Sequence, residues 1–63
     1  MKVGQVLIAK NFYLDCFQAG AEYTIFSVED CLGDLMAQVK DKSGKTITWH
    51  LKQFEIDIQF KIK

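Results

Sequence analysis

The chain has 63 residues, with eight lysines, eight acidic residues and no formal net charge, and it is short enough to form only one domain, spanning residues 1–63. Hydrophobic residues make up 49% of it, which excludes an intrinsically disordered chain. No apolar stretch approaches the roughly 20 residues of a membrane helix, and the neutral balance excludes binding of nucleic acid by bulk charge.

The first half of the chain predicts two strands separated by a long loop. Val3–Ala9 is the first apolar segment, and Lys10–Ala21 shows no helical periodicity, so we expect a loop there. Glu22–Val28 is rich in β-branched and aromatic residues and predicts a second strand, which we expect to bend because both its faces are partly apolar. Glu29–Asp34, with its permissive Gly33, predicts a turn.

Two alternating segments, Leu35–Lys40 and Thr46–Lys52, predict a β-hairpin closed by a three-residue loop. Gly44 fits the left-handed position at the end of that loop. The resulting register places Trp49 on the buried face of the sheet, opposite Ala37. The other expected cross-strand neighbours are Asp41 with Lys45, Val39 with Ile47, Leu35 with Leu51, Met36 with His50, and Gln38 with Thr48.

The C-terminal segment shows the clearest periodicity of the chain. Apolar residues occupy every second position, alternating with polar ones: Phe54, Ile56, Ile58, Phe60 and Ile62. This period of two predicts a strand with one buried face, and no segment of the chain predicts a helix of useful length. The sequence therefore predicts five strands, and closing them into a barrel would protect the edges of so short a sheet.

The predicted order of elements, together with several short motifs, resembles an SH3-like β-barrel. The motifs are Val3-Gly4-Gln5, Gly20-Ala21-Glu22-Tyr23-Thr24-Ile25, Val39-Lys40-Asp41-Lys42-Ser43-Gly44-Lys45 and Trp49-His50-Leu51 with Phe54-Glu55. The chain is also similar to small SH3-like proteins of tailed bacteriophages and prophages. The resemblance implies an all-β, five-stranded SH3-like barrel, in an accessory protein that binds a host or viral factor in the host cytoplasm.

Two cysteines, Cys16 and Cys31, are too few to form a disulfide framework. The apolar run near the N-terminus is short and interrupted, which is not typical of a secretory signal. We therefore expect a cytoplasmic protein with two reduced thiols, and a bridge between the two cysteines is the alternative.

The sequence favours a protein without catalytic activity or a cofactor. Cys16, Cys31 and His50 are spaced too widely for a zinc site, and no local motif indicates an activated thiol. The carboxylates of Glu29-Asp30 and of Glu55 and Asp57 are interpreted as solvated surface charge. No glycine-rich phosphate loop follows any predicted strand.

The favoured function is binding of a protein partner through an exposed patch. Aromatic residues of the long loop and side chains of the outer sheet face are the candidates, because aromatic residues and Met are enriched in interface cores. They are Phe12, Tyr13, Phe26, Met36, Gln38 and His50. Phe17 is instead expected to close one end of the barrel, because so short a chain needs the burial.

Two alternatives stay open. Four lysines surround the predicted hairpin and could bind nucleic acid, although the absence of arginine removes bidentate contacts to phosphate or guanine. They are Lys40, Lys42, Lys45 and Lys52. The second alternative is a small homo-oligomer, paired across the last strand with its five apolar residues.

Overall fold

The structure, a computed structural model, describes residues 1–63 and contains five strands and one short helix. The elements are β1 (Val6–Ala9), β2 (Glu22–Cys31), β3 (Asp34–Asp41), β4 (Leu51–Lys52), α1 (Gln53–Gln59) and β5 (Phe60–Ile62). The strands form one antiparallel sheet in the order β4-β3-β2-β1-β5, and the sheet curls into a half-barrel. The predicted all-β, SH3-like barrel is therefore confirmed.

The core lies on the concave face of the curled sheet. Alternate residues of β1, β2 and β3 point into it, as expected for strands with one buried face. The buried apolar residues are Leu7, Ala9, Phe17, Tyr23, Ile25, Ala37, Val39, Ile47, Leu51, Ile56 and Phe60. The first strand is shorter than predicted, since Val3 is exposed and β1 begins at Val6, although Gly4 and Gln5 still bond to the backbone of Ile25.

The long loop, residues 10–21, folds back on itself and closes one end of the barrel. Tyr13 and Phe17 exchange two backbone hydrogen bonds, of 2.9 and 3.0 Å, around Leu14 and Asp15, which both have a positive φ. This small turn sends the Phe17 ring inward, where it packs edge-on against Tyr23 and Phe60 with both centroid distances at 5.1 Å. Phe17 thus occupies the position in the core that the sequence predicts.

β2 and β3 form the longest hairpin, and its turn is tighter than predicted. β2 ends at Cys31 and β3 begins at Asp34, so only Leu32 and Gly33 form the turn, with φ of 53° and 89°. Positive φ at both positions is typical of the tight turn that matches the twist of paired strands. A β-bulge at Phe26 shifts the register between Ile25 and Ser27 and gives β2 the expected irregularity.

The hairpin after β3 begins as predicted and then leaves the predicted register. Gly44 has φ 93°, and the Asp41 N–H donates to the Lys45 carbonyl at 2.9 Å. Further along, however, Ala37 pairs with Leu51. Residues 48–50 loop out of the ladder, so Trp49 is 46% exposed and its predicted place on the buried face is wrong. The pairing of Leu35 with Leu51 is wrong for the same reason.

The predicted last strand is wrong over residues 54–59, which belong to α1. β4 and β5 are the two edges of the sheet, so the chain between them must cross from one edge to the other. The helix makes this crossing with Glu55 and Ile56 facing the interior, and only Phe60–Ile62 then add to β1. The sequence alternation had placed Glu55 in solvent, whereas the structure buries it.

Candidate functional site

Glu55 is the one buried charged residue, and it fastens three segments together. Its Oε2 accepts hydrogen bonds from the Tyr13 hydroxyl at 2.8 Å and from Trp49 Nε1 at 3.1 Å. Its Oε1 accepts the backbone N–H of Lys52 at 3.1 Å, which caps the first turn of α1. A buried carboxylate with three donors is well satisfied, so Glu55 fixes the position of the helix against the long loop.

The hydrogen bond to Glu55 also makes the Tyr13 phenol less acidic. The hydrogen bond and the nearby negative charge both raise the pKa of the Tyr13 phenol, because they favour its protonated form. Tyr13 was a candidate for partner contact, and its ring is still half-exposed, but its hydroxyl is occupied within the molecule. Its neighbour Phe12 is exposed on the same loop.

The outward side of α1 presents two apolar side chains to solvent. Phe54 and Ile58 lie four residues apart, on the same face of the helix, and are 60% and 62% exposed. Beside them Gln53 donates a hydrogen bond of 2.8 Å to Asp57, which is also four residues further on. This face was not predicted, because the alternation assigned Phe54 and Ile58 to a buried strand face. Their i, i+4 spacing was the available signal.

A groove of about 380 Å³ separates α1 from the turn between β2 and β3. We call it the turn–helix groove, and it is lined by Gly33, Asp34, Leu35, Lys52, Gln53 and Phe54. Leu35 and Phe54 supply its apolar walls, and both are exposed. Exposed apolar side chains that converge on one concave surface are typical of an interaction site rather than of an ordinary monomer surface.

Leu32 stands next to this groove, at the tip of the β2–β3 turn. Its side chain is fully exposed, and its φ of 53° lies in the left-handed region. Asn and Gly are the residues that a turn of this kind favours at that position. A leucine there is unfavourable both for the backbone and for solvation, and nothing within the molecule compensates by covering its side chain.

The candidate patch on the sheet is only partly assembled. Phe26, Met36 and Gln38 share the outer face of β2 and β3, where they are half-buried. Met36 is paired with Lys52 and not with His50, so the predicted Met36–His50 pair is wrong. The same shift of register leaves His50 exposed in the segment before β4, and the Gln38 amide reaches the Ile47 carbonyl at 3.5 Å.

The four candidate lysines do not form a single cluster. Lys40 lies over the Phe26 ring, with its Nζ 5.9 Å from the centroid. Lys42 and Lys45 are exposed around the tight turn of residues 41–45, which we call the β3–β4 turn. Lys52 instead pairs with Met36, four residues before Lys40 on β3, which corresponds to about 13 Å along the strand. It lines the turn–helix groove and not the lysine-bearing hairpin.

Both cysteines are free thiols in the structure. Cys16 is half-buried in the long loop and Cys31 is exposed at the end of β2, and the structure contains no disulfide bridge between them. Burial raises the pKa of the Cys16 thiol, and the carboxylate of Asp15 adds to the effect. No group of three potential metal ligands is present. Two further depressions, of about 410 and 430 Å³, flank the β3–β4 turn and share Cys16 and Asp41.

Comparisons with protein-family models, with curated proteins and with solved structures return no match for this chain. α1 is too short to cross a membrane.

Proposed function

We propose that this chain is a small, non-catalytic protein-interaction module whose principal contact surface is the turn–helix groove. The observation that supports this most directly is the convergence of exposed apolar side chains from two separate elements. Leu35 comes from β3 and Phe54 from α1, with Ile58 continuing the same helix face. A short chain needs nearly all its apolar residues for its own stability, so the exposure of this group favours binding.

The fixed position of α1 also favours binding. Glu55 ties the helix to Tyr13 and Trp49, which limits how far Phe54 and Ile58 can move when a partner approaches. A preorganised apolar surface loses less entropy on association than a mobile one. Met36, on the outer sheet face, pairs with Lys52, which lines the groove, so a partner that extends past Lys52 would also meet this face.

The resemblance to small phage and prophage barrels supports a role as an accessory protein in the host cytoplasm, where it would bind a host or viral factor. Its two free thiols fit a reducing compartment. Nucleic acid is a weaker candidate, because Lys52 lies away from the three lysines around the β3–β4 turn and one of these, Lys40, lies over the Phe26 ring.

Affinity capture from a bacterial lysate tests this function. The wild type is compared with Phe54→Ser and with the matched control Phe12→Ser, since Phe12 is an equally exposed aromatic on the long loop. We expect the wild type and Phe12→Ser to retain the same proteins and Phe54→Ser to lose them. Equal retention by all three, each shown to be folded by its thermal transition, would contradict the groove as the contact surface.

A further inference from the structure

The charges of this neutral molecule are separated toward the two ends of β3. Three exposed acids surround the β2–β3 turn, where no cation lies in residues 29–35: Glu29, Asp30 and Asp34. Lys40, Lys42 and Lys45 surround the turn at the other end of the strand. The two turns are separated by the eight residues of β3, about 26 Å at the usual rise per residue.

The acids at the β2–β3 end have no internal counter-ion. The one salt bridge of the molecule joins Lys63 to Glu22, at 3.0 Å, and involves none of them. Asp30 accepts the backbone N–H of Gly33, and Asp57 on α1 accepts the Gln53 amide, so neither carboxylate is paired with a cation. Uncompensated charge at the rim of an apolar site selects partners of opposite sign.

The turn–helix groove lies at this acidic end. Asp34 and Lys52 are the two charged residues of its lining, and Asp57 follows Phe54 by three residues on α1. The groove therefore combines the apolar walls of Leu35 and Phe54 with the acids of the β2–β3 turn at one border, and Lys52 is the one cation of its lining. Leu32 extends the apolar surface at the tip of the acidic turn.

We propose that the turn–helix groove binds a basic peptide segment of a partner protein, in which an apolar side chain inserts between Leu35 and Phe54 and flanking Lys or Arg residues meet the acids of the β2–β3 turn. This inference rests on the proposed function and specifies the chemistry of its partner. The apolar side chain supplies the buried contact, and the basic residues supply orientation and a salt-dependent rate of association.

A second copy of this chain is a poorer occupant of the groove. The Lys42-Ser43-Gly44-Lys45 tip of its β3–β4 turn carries no apolar side chain to insert between Leu35 and Phe54. Its other basic segment, Lys61-Ile62-Lys63, is held in place, because Ile62 pairs with Leu7 in the sheet and Lys63 forms the salt bridge to Glu22. Such a contact would also be head-to-tail, which closes into a ring only when the rotation between copies allows it. Nucleic acid is disfavoured at this end because the acids would repel its phosphates.

Selection from a library of random twelve-residue peptides displayed on ribosomes tests the inference on the intact protein. We expect the peptides retained by the wild type to be enriched in Lys and Arg on both sides of an apolar residue. Their affinity should fall about tenfold between low and moderate salt, as expected for contacts to surface charge. Recovery of no peptide, or of peptides without basic enrichment, would overturn the inference.

Three variants then locate the contact and separate the two proposals. Asp30→Asn/Asp34→Asn removes two charges while keeping the acceptor oxygen that bonds to Gly33, and Asp15→Asn is the matched control on the long loop. We expect the double variant and Phe54→Ser each to weaken binding of a selected peptide about tenfold or more, and Asp15→Asn to leave it within about twofold.

The outcomes differ for each failure. If Phe54→Ser loses binding and the double acid variant keeps it, the groove functions in binding but the basic chemistry of its partner is refuted. If both variants keep binding, the groove itself is refuted. If light scattering shows wild-type dimers that Phe54→Ser disperses, a second copy occupies the groove and the inference of a peptide partner fails.

Discussion

The Tyr13 hydroxyl donates a hydrogen bond of 2.8 Å to Oε2 of Glu55, which lies 42 residues further along the chain. The same oxygen accepts the indole N–H of Trp49. One buried carboxylate thus connects the long loop, the segment before β4 and α1. The exposed helix face with Phe54 and Ile58 depends on this connection for its position.

Replacement of Glu55 by glutamine should be costly despite the similar shape. The amide offers one acceptor oxygen where the carboxylate offers two, so at least one of the three donors faces an NH₂ group. We expect a loss of about 1.5–3 kcal/mol in the free energy of unfolding, the range for hydrogen bonds to a charged group. Urea unfolding followed by the fluorescence of Trp49, the only tryptophan, measures it. Asp57→Asn, on the exposed side of α1, is the control and should stay within about 0.5 kcal/mol.

The pKa of Asp41 should make the β3–β4 turn sensitive to acid. The Ser43 hydroxyl, followed by the Lys45 backbone N–H, lowers the pKa of Asp41 in the folded state. Because the pKa is lower in the folded state, the ionised carboxylate stabilises the fold. This contribution is complete at pH values above the unfolded-state pKa of about 3.9, and it is lost as the pH falls through the folded-state pKa. The stability difference between wild type and Asp41→Ala should therefore be full at pH 6 and shrink below about pH 4. Ser43→Ala should move that loss toward higher pH, and an unchanged profile would contradict the assignment.

Leu32→Asn should stabilise the protein. A left-handed backbone costs an ordinary L-residue roughly 1–2 kcal/mol, and Asn adopts it more readily, so we expect a gain of about 1 kcal/mol. For a domain of this size that corresponds to an increase of about 4–8 °C in the midpoint of thermal unfolding. Leu32→Ala removes the same exposed side chain but keeps the backbone cost, so it should give no comparable gain. If both variants gain equally, solvation and not the backbone is responsible.

Gly44→Ala should destabilise the protein by about 1–2 kcal/mol for a purely conformational reason. Gly44 has φ 93°, and a Cβ added there would meet no atom within 4 Å. The cost therefore comes from the backbone and not from a clash. Gly44→Asn should cost less, because Asn tolerates the left-handed region better than Ala. Denaturant unfolding of both variants tests this order, and the reverse order would refute it.

Replacement by alanine should reduce the free energy of unfolding far more at Phe17 than at Phe12. Phe17 is fully buried between Tyr23 and Phe60, and truncating such a side chain to alanine costs about 3–5 kcal/mol. A chain of this length has only about 3–9 kcal/mol of stability in total, so Phe17→Ala should lose about a third of it or more. Phe12→Ala should remain folded, because Phe12 lies in solvent. Thermal unfolding followed by circular dichroism distinguishes the two, and a Phe17→Ala protein as stable as the wild type would show that the loop does not close the barrel.

Much of the fold is predictable because it depends on local features. Gly44 predicts the β3–β4 turn, the β-branched and aromatic residues of β2 predict a strand, and the alternation of apolar and polar residues predicts β3. Even so, the partner of Ala37 is Leu51, two residues further along the chain than the predicted partner Trp49. That shift moves Trp49 from the core to the surface. In its new position the Trp49 indole N–H donates a hydrogen bond to Glu55, which is a contact between segments that no local pattern contains.

The sequence by itself determined the class of this protein: a short, neutral, all-β chain with one core. It also indicated that Phe17 on the long loop closes one end of the barrel and that a tight turn lies at Gly44. Only the tertiary structure decided that Phe54–Gln59 is helical, although the apolar residues alternate. The physical reason is the order of the strands, because a chain leaving one edge of the sheet at β4 must cross to the other edge to pair with β1. That crossing turns Glu55 inward and Phe54 and Ile58 outward, and so creates the turn–helix groove.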